Sequence, residues 1–146
     1  MKHIIVGGVI IQDGKILLIQ ESAPEFRGQW DLPAGELDDD ENLIAGAIRE
    51  VREETGLDVE PENLLLVQNS VNPQAVRFFF DMKIIGGETK FDGSEISNVK
   101  WFPLSEIEKL NLRIRLKQCW REISRRHKAG ENYPLDLIND LAEVKS

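Results

Sequence analysis

Apolar and β-branched residues run from residue 3 to 11 and again from Lys15 to Ile19, with Asp13-Gly14 between them. An Asp-Gly pair separating two such runs is a hairpin-turn signal, so the pattern predicts a leading β-hairpin. Residues 21 to 29 lose the alternation and read as a loop. Trp30-Asp31-Leu32 then reads as a short strand stopped by Pro33. The period changes next: Ile44, Ala47, Ile48 and Val51 fall at i, i+3, i+4 and i+7, the stripe of an amphipathic helix. Asp38 to Glu41 would supply acids to its positive end, and Gly56 stands where a C-cap glycine belongs. Strand patterns return at Leu64–Val67 and Val76–Ile84, followed by a Gly86-Gly87 turn, a polar loop over 88–97 and a last strand at Val99–Phe102. Pro103 opens a short helix; Leu112, Leu116, Cys119, Trp120 and Ile123 form a second helical stripe; a final short helix is expected from Pro134 to about Val144. Strands interleaved with about three helices predict one α/β layered domain over residues 1–146.

Composition narrows the class. With 41% hydrophobic and 30% charged residues the chain has the balance of a soluble globular protein. No apolar run approaches the roughly 20 residues that span a bilayer, so no membrane partner is expected. The N-terminus passes straight into a strand pattern and lacks the apolar region and cleavage site of a secretory signal. Cys119 is the only cysteine, which excludes an internal disulfide and fits a reducing cytoplasm. The net charge of −8 argues against non-specific nucleic-acid binding. That charge is uneven. Residues 36 to 60 carry ten acidic and two basic side chains, whereas residues 113 to 128 carry seven Lys/Arg and one Glu. The acidic segment suits divalent cations; the basic one reads either as a solvated helix face or as a surface for phosphates.

Within the acidic segment, Gly35, Glu41, Arg49, Glu50, Glu53, Glu54 and Gly56 keep a spacing of G-x5-E-x7-R-E-U-x-E-E-x-G-U, where U is a bulky aliphatic residue, here Val51 and Leu57. Glu50, Glu53 and Glu54 fall at i, i+3 and i+4, on one helical face separate from the apolar stripe. Like charges stacked in this way destabilise a bare helix, so a cation is expected among them. Mg²⁺ and Mn²⁺ prefer hard oxygen ligands, and a carbonyl from the Leu32-Pro33-Ala34-Gly35 loop could complete such a set. Ions held there would bridge phosphate oxygens and activate water, with a spare glutamate taking the proton. Arg49 could orient a glutamate through a bidentate ion pair, and Glu41 is its expected structural partner.

The segment resembles the signature of the Nudix hydrolases at every defining position. The leading hairpin, the Trp30-Asp31-Leu32-Pro33-Ala34-Gly35 lead-in and the late Trp101-Phe102-Pro103-Leu104 are similar too. That resemblance implies an α/β/α sandwich with a mixed central β-sheet. It also implies metal-dependent cleavage of a nucleoside diphosphate linkage by water attack at phosphorus. Carried over by position, it implies metal ligation by Glu50, Glu53, Glu54 and the Ala34 carbonyl, orientation of the glutamates by Arg49, and shaping roles for Gly35 and Gly56. Glu95, on the loop before the last strand, matches a further acid that serves as metal ligand or base; Asp92 and Glu88 are alternatives on that loop. The choice of general base between Glu95 and a box glutamate stays open. Many relatives are dimers, so a homodimer is the implied assembly.

For the substrate, the resemblance points to a free nucleoside di- or triphosphate, including oxidised guanine nucleotides. An ADP-ribose or nucleotide-sugar pyrophosphatase is the alternative, and a catalytically silent nucleotide sensor is a third reading. Phe26, Trp30, Phe78 and Phe80 are candidate stacking residues, with Phe78 and Phe80 on one strand face and Phe79 on the other; core packing is the competing role for each. Arg27 could meet a phosphate or a base edge.

Overall fold

The computed structural model describes residues 1–141. In chain order the strands are β1 (His3–Val9), β2 (Ile11–Gln12), β3 (Lys15–Glu21), β4 (Trp30–Asp31) and β5 (Ala34–Glu36); helix α1 (Leu43–Thr55) follows, then β6 (Leu57–Ser70), β7 (Ala75–Gly87), β8 (Ile96–Pro103) and helix α2 (Ile114–Ala129). The strands divide into two sheets. One has the order β5-β1-β7-β6 and is mixed, because β1 and β7 are parallel and the other pairs antiparallel. In the other, β3 pairs antiparallel with β2, β4 and β8. The α/β class and the mixed sheet match the expectation; the split into two sheets is additional.

Two apolar cores lie on opposite sides of the strands. Val6, Leu17, Phe80 and Met82 pack under α1 with Ala47 and Val51. Ile16, Leu18, Leu65 and Phe79 pack under α2 with Leu116, Cys119, Trp120 and Ile123. Alternation explains the partition, since Leu17 and its neighbours on β3, and Phe79 and Phe80 on β7, point to opposite faces. Cys119 is buried against α2's core, and burial pushes its thiol up to about 12.

Several boundaries differ from the sequence pattern. Helix α1 begins after the acids, with Asn42 as N-cap accepting from the Ala45 N–H at 2.9 Å, so Asp38–Glu41 lie outside the first turn. Ala34 and Gly35, expected as loop, form with Glu36 the strand β5 on the edge of β1. Strand β6 starts directly after α1 and runs through Pro61, whose missing N–H is accommodated at a register shift opposite β7. The expected C-terminal helix is reduced to a 3₁₀ turn, Leu135–Leu137; its remainder past residue 141 lies outside the described residues. Gly56 ends α1 in the left-handed region at φ 81°, as a C-cap glycine should.

Candidate active site

Arg49 organises the exposed arc of α1. Its Nε donates to Glu41 Oε2 at 2.9 Å and its Nη2 to Glu41 Oε1 at 2.5 Å, a bidentate pair. Its Nη1 donates to Glu50 at 2.9 Å and to Glu53 at 3.1 Å, and its Nη2 also reaches the Glu36 carbonyl at 3.2 Å. The Arg49 bonds hold the Glu41 carboxyl below its ordinary range, and the Glu41 bond leads the effects that raise the Arg49 guanidinium. Glu50 is half-buried, and its carboxyl is raised by burial despite Arg49.

Glu54 is different. It accepts the Ala34 N–H at 2.6 Å, which ties α1 to β5. Burial raises its carboxyl to about 9, and the charges that act on it most strongly, Glu50, Glu21 and Asp31, are all acidic. A desolvated carboxylate among carboxylates is a site that wants a cation. Among the described residues no three side chains of metal-ligating type converge on one point. Glu50 and Glu53 are drawn to Arg49, and Glu54 to Ala34. The donor set is nevertheless all hard oxygen, the set that Mg²⁺ or Mn²⁺ takes.

Gly35 makes room for this arrangement. A Cβ there would lie 2.1 Å from Glu50 Oε2. Because the obstructing atoms are the far end of a flexible side chain, Gly35→Ala is expected to keep the fold and to displace Glu50. Hydrolysis should fall at least about tenfold with an unchanged circular dichroism spectrum, whereas full activity would show that Glu50 has no fixed place in the site.

The loop before β8 is pinned at both ends. The Lys90 N–H donates to Thr55 O at 2.9 Å, and the Ser22 N–H donates to Glu95 O at 2.8 Å. Glu53 and Glu95 line one cavity of about 380 Å³, with Phe91, Asp92, Ser94 and Ile96. Asp92 accepts from the Ser94 N–H and Oγ–H, bonds that hold its carboxyl below its ordinary range, so it is engaged in its own turn. Glu88 does not line this cavity; it faces a larger hollow of about 560 Å³ beside Trp101, which none of the box carboxylates reaches.

The four residues proposed from sequence to contact substrate do not come together. Phe80 is 0% exposed and belongs to the core under α1, where it offers no face to a ligand. Phe78 is half-buried against that same core. Trp30 packs on the opposite side, edge-on to Phe102 at 4.6 Å. Arg27 is exposed on the loop before β4. Sequence reasoning missed the groups around Asp31. This residue is 3% exposed and accepts from the Leu32 N–H at 2.8 Å and from Arg115 at 2.6–2.7 Å. Arg113 pairs with Glu21 and lies over the Phe26 ring, 3.4 Å from its centroid. A signal was present in Arg77, a charge inside the apolar run of β7.

Residues 1–123 match the NUDIX domain family. The chain belongs to this family. It is 32% identical to the phosphatase NudJ of Escherichia coli strain K12 over 144 residues, covering 95% of this chain and 92% of that protein. It is 35% identical to the human 8-oxo-dGDP phosphatase NUDT18 over 142 residues, which is 95% of this chain but 43% of that longer protein. Among solved structures, a NUDIX hydrolase from Nitrosomonas europaea superposes with a TM-score of 0.78 at 30% identity, covering 97% of this chain and 98% of that one. The chain is therefore a Nudix hydrolase, an enzyme acting on phosphorus anhydrides. Among the described residues, no helix is long and apolar enough to cross a membrane.

Proposed function

We propose that this Nudix hydrolase cleaves the pyrophosphate bond of a free nucleoside di- or triphosphate, oxidised guanine nucleotides included. Glu50, Glu53, Glu54 and the Ala34 carbonyl would hold Mg²⁺ or Mn²⁺, with Glu95 contributing across the shared cavity. The observation that carries this reading is Glu54, a half-buried carboxylate that accepts the Ala34 N–H and whose strongest charged neighbours are acidic. When bound, the metal would supply Lewis-acid charge to the phosphate oxygens and favour ionisation of water.

The chain's own residues do the rest. Arg49 holds Glu50 and Glu53 against their mutual repulsion, and Glu41 fixes Arg49 from behind. Water attacks phosphorus, one P–O bond forms as the bridging P–O bond breaks, and the water proton passes to Glu53 or Glu95, the two glutamates facing one cavity. The likeness to the 8-oxo-dGDP phosphatase NUDT18 supports a nucleotide substrate, and that to the phosphatase NudJ supports phosphate-ester or anhydride hydrolysis. The same proposal places the enzyme in the cytoplasm as a homodimer built from one Nudix domain per chain.

A nucleotide screen with product identification tests it. Hydrolysis should require added Mg²⁺ or Mn²⁺ and release orthophosphate or pyrophosphate. Release of ribose phosphate from ADP-ribose at a higher kcat/KM would favour the ADP-ribose reading, and full activity after exhaustive chelation would sink the metal scheme.

A further inference from the structure

On the α2 side of the strands the fold gathers three arginines that the acidic box does not use. Arg77 comes from the middle of β7, where alternation turns it away from Phe78 and Phe80 and towards α2. Arg113 and Arg115 come from the N-terminal end of α2. Gln68 accepts from Arg77 Nη1 at 3.3 Å and donates to the Arg115 carbonyl at 3.2 Å, while Asp31 lies 2.6 Å from Arg115 and 4.0 Å from Arg113, so the three arginines gather in one place. Two carboxylates answer them: Glu21 pairs with Arg113 and Asp31 with Arg115. One positive charge is left over in a mostly dry place.

That place adjoins the acidic box. Glu21, which pairs with Arg113, immediately precedes Ser22, whose N–H donates to the Glu95 carbonyl at 2.8 Å. Asp31 is only three residues before Ala34, whose N–H holds Glu54. The segment of residues 31–34 therefore joins the box to the arginine cluster.

The cluster offers mainly donors. Guanidinium groups carry N–H donors and no acceptor. Helix α2 begins without a side-chain cap, so its first turn adds backbone N–H groups and the positive end of its dipole. Arg77 is 5% exposed; its Nη1 donates to Gln68 Oε1 and Ser70 Oγ at 3.3 Å, and its buried Nε has no partner among the described residues. A buried, incompletely bonded cation with only neutral partners is a poor structural device.

We propose that Arg77, Arg113 and Arg115 form the specificity site of this enzyme and take an oxygen-acceptor group of the substrate lying beyond the scissile linkage. This rests on the pyrophosphohydrolase reading above. The acceptor has two sources in a nucleotide, a terminal phosphate or a carbonyl on the base edge. Arg113 and Arg115 are the partly exposed members of the cluster and Arg77 the buried one.

The test compares wild type, Arg77→Met and Arg77→Lys on GDP, GTP, ADP and ATP with Mg²⁺, alongside thermal melts. Arg77→Met removes a desolvated charge without stranding a carboxylate, so its Tm should be no lower than wild type. Its kcat/KM should fall about 10- to 100-fold, the size of one charge-assisted hydrogen bond, mainly through KM and selectively, with part restored by Lys. A fall confined to GTP and ATP supports the proposal and names the terminal phosphate. A fall confined to GDP and GTP supports it and names the base carbonyl. An equal fall on all four, or none, overturns it. Should wild type hydrolyse none of the four, the pyrophosphohydrolase reading fails, and calorimetric binding still decides the cluster. Selective weakening of binding at least tenfold in Arg77→Met keeps the proposal, and equal binding overturns it.

Discussion

Glu53→Gln is expected to lower kcat by about 10²- to 10³-fold while leaving the protein folded, the range for losing one charge-stabilising or proton-accepting group. The change is small in shape and large in charge. The Glu53 side chain is 57% exposed, so its replacement strands nothing in the core. Arg49 keeps its bidentate pair with Glu41 and its bond to Glu50, so the arc of α1 stays organised. Stability should therefore move by no more than about 0.5 kcal/mol, as for other surface changes. Glu95→Gln, on the opposite wall of the same cavity, separates the two candidate bases. Loss of the acidic limb of the pH–rate profile in one variant and its retention in the other identifies the proton acceptor. Wild-type turnover in Glu53→Gln with normal metal binding would remove the box from the chemistry.

The reach of the sequence follows from how local each interaction is. The Glu50, Glu53 and Glu54 arc, the Arg49 contacts and the left-handed Gly56 were legible because all lie within one helix, where spacing alone sets geometry. The Glu41–Arg49 pair was legible for a related reason, being a short step from that helix. Phe80 shows the limit. Period-2 alternation placed it with Phe78 on one face, but could not say that α1 would cover it completely. The start of α1 was misplaced because acids favour a helix N-terminus generally, whereas the side-chain bond from Asn42 decides where this one begins. The arginine cluster was least legible. Arg115 and Asp31 meet across 84 positions of chain, and only the packing of α2 on the strands brings Arg77 to them through Gln68. The basic run at 113–128 was visible as charge, but not as two arginines turned inward.

Glu54→Gln is expected to raise the stability of the metal-free protein at neutral and alkaline pH while abolishing its response to Mg²⁺. The sign follows from linkage. The folded-state pKa of about 9 lies above the ordinary value of 4.5, so the folded chain holds a proton that the unfolded chain releases. Stability is thus fully present below pH 4.5 and is lost as pH rises towards 9, at about 1.4 kcal/mol per pH unit at most. At pH 7.5 the loss amounts to roughly 4 kcal/mol as an upper figure, because relaxation and water penetration reduce it. Glutamine cannot ionise, keeps an oxygen to accept the Ala34 N–H, and removes the charge that Glu50, Glu21 and Asp31 oppose. Melts from pH 5 to 9 without metal should show the wild-type Tm falling below that of Glu54→Gln by several degrees as pH rises. Millimolar Mg²⁺ should then restore the wild type and leave the variant unmoved, since a ligand that binds only the folded state stabilises it in proportion to occupancy. Parallel pH slopes in the two proteins, with equal responses to Mg²⁺, would mean that Glu54 is neither strained nor part of the cation site. The opposite result would show that this enzyme keeps a destabilising carboxylate because the cation needs it.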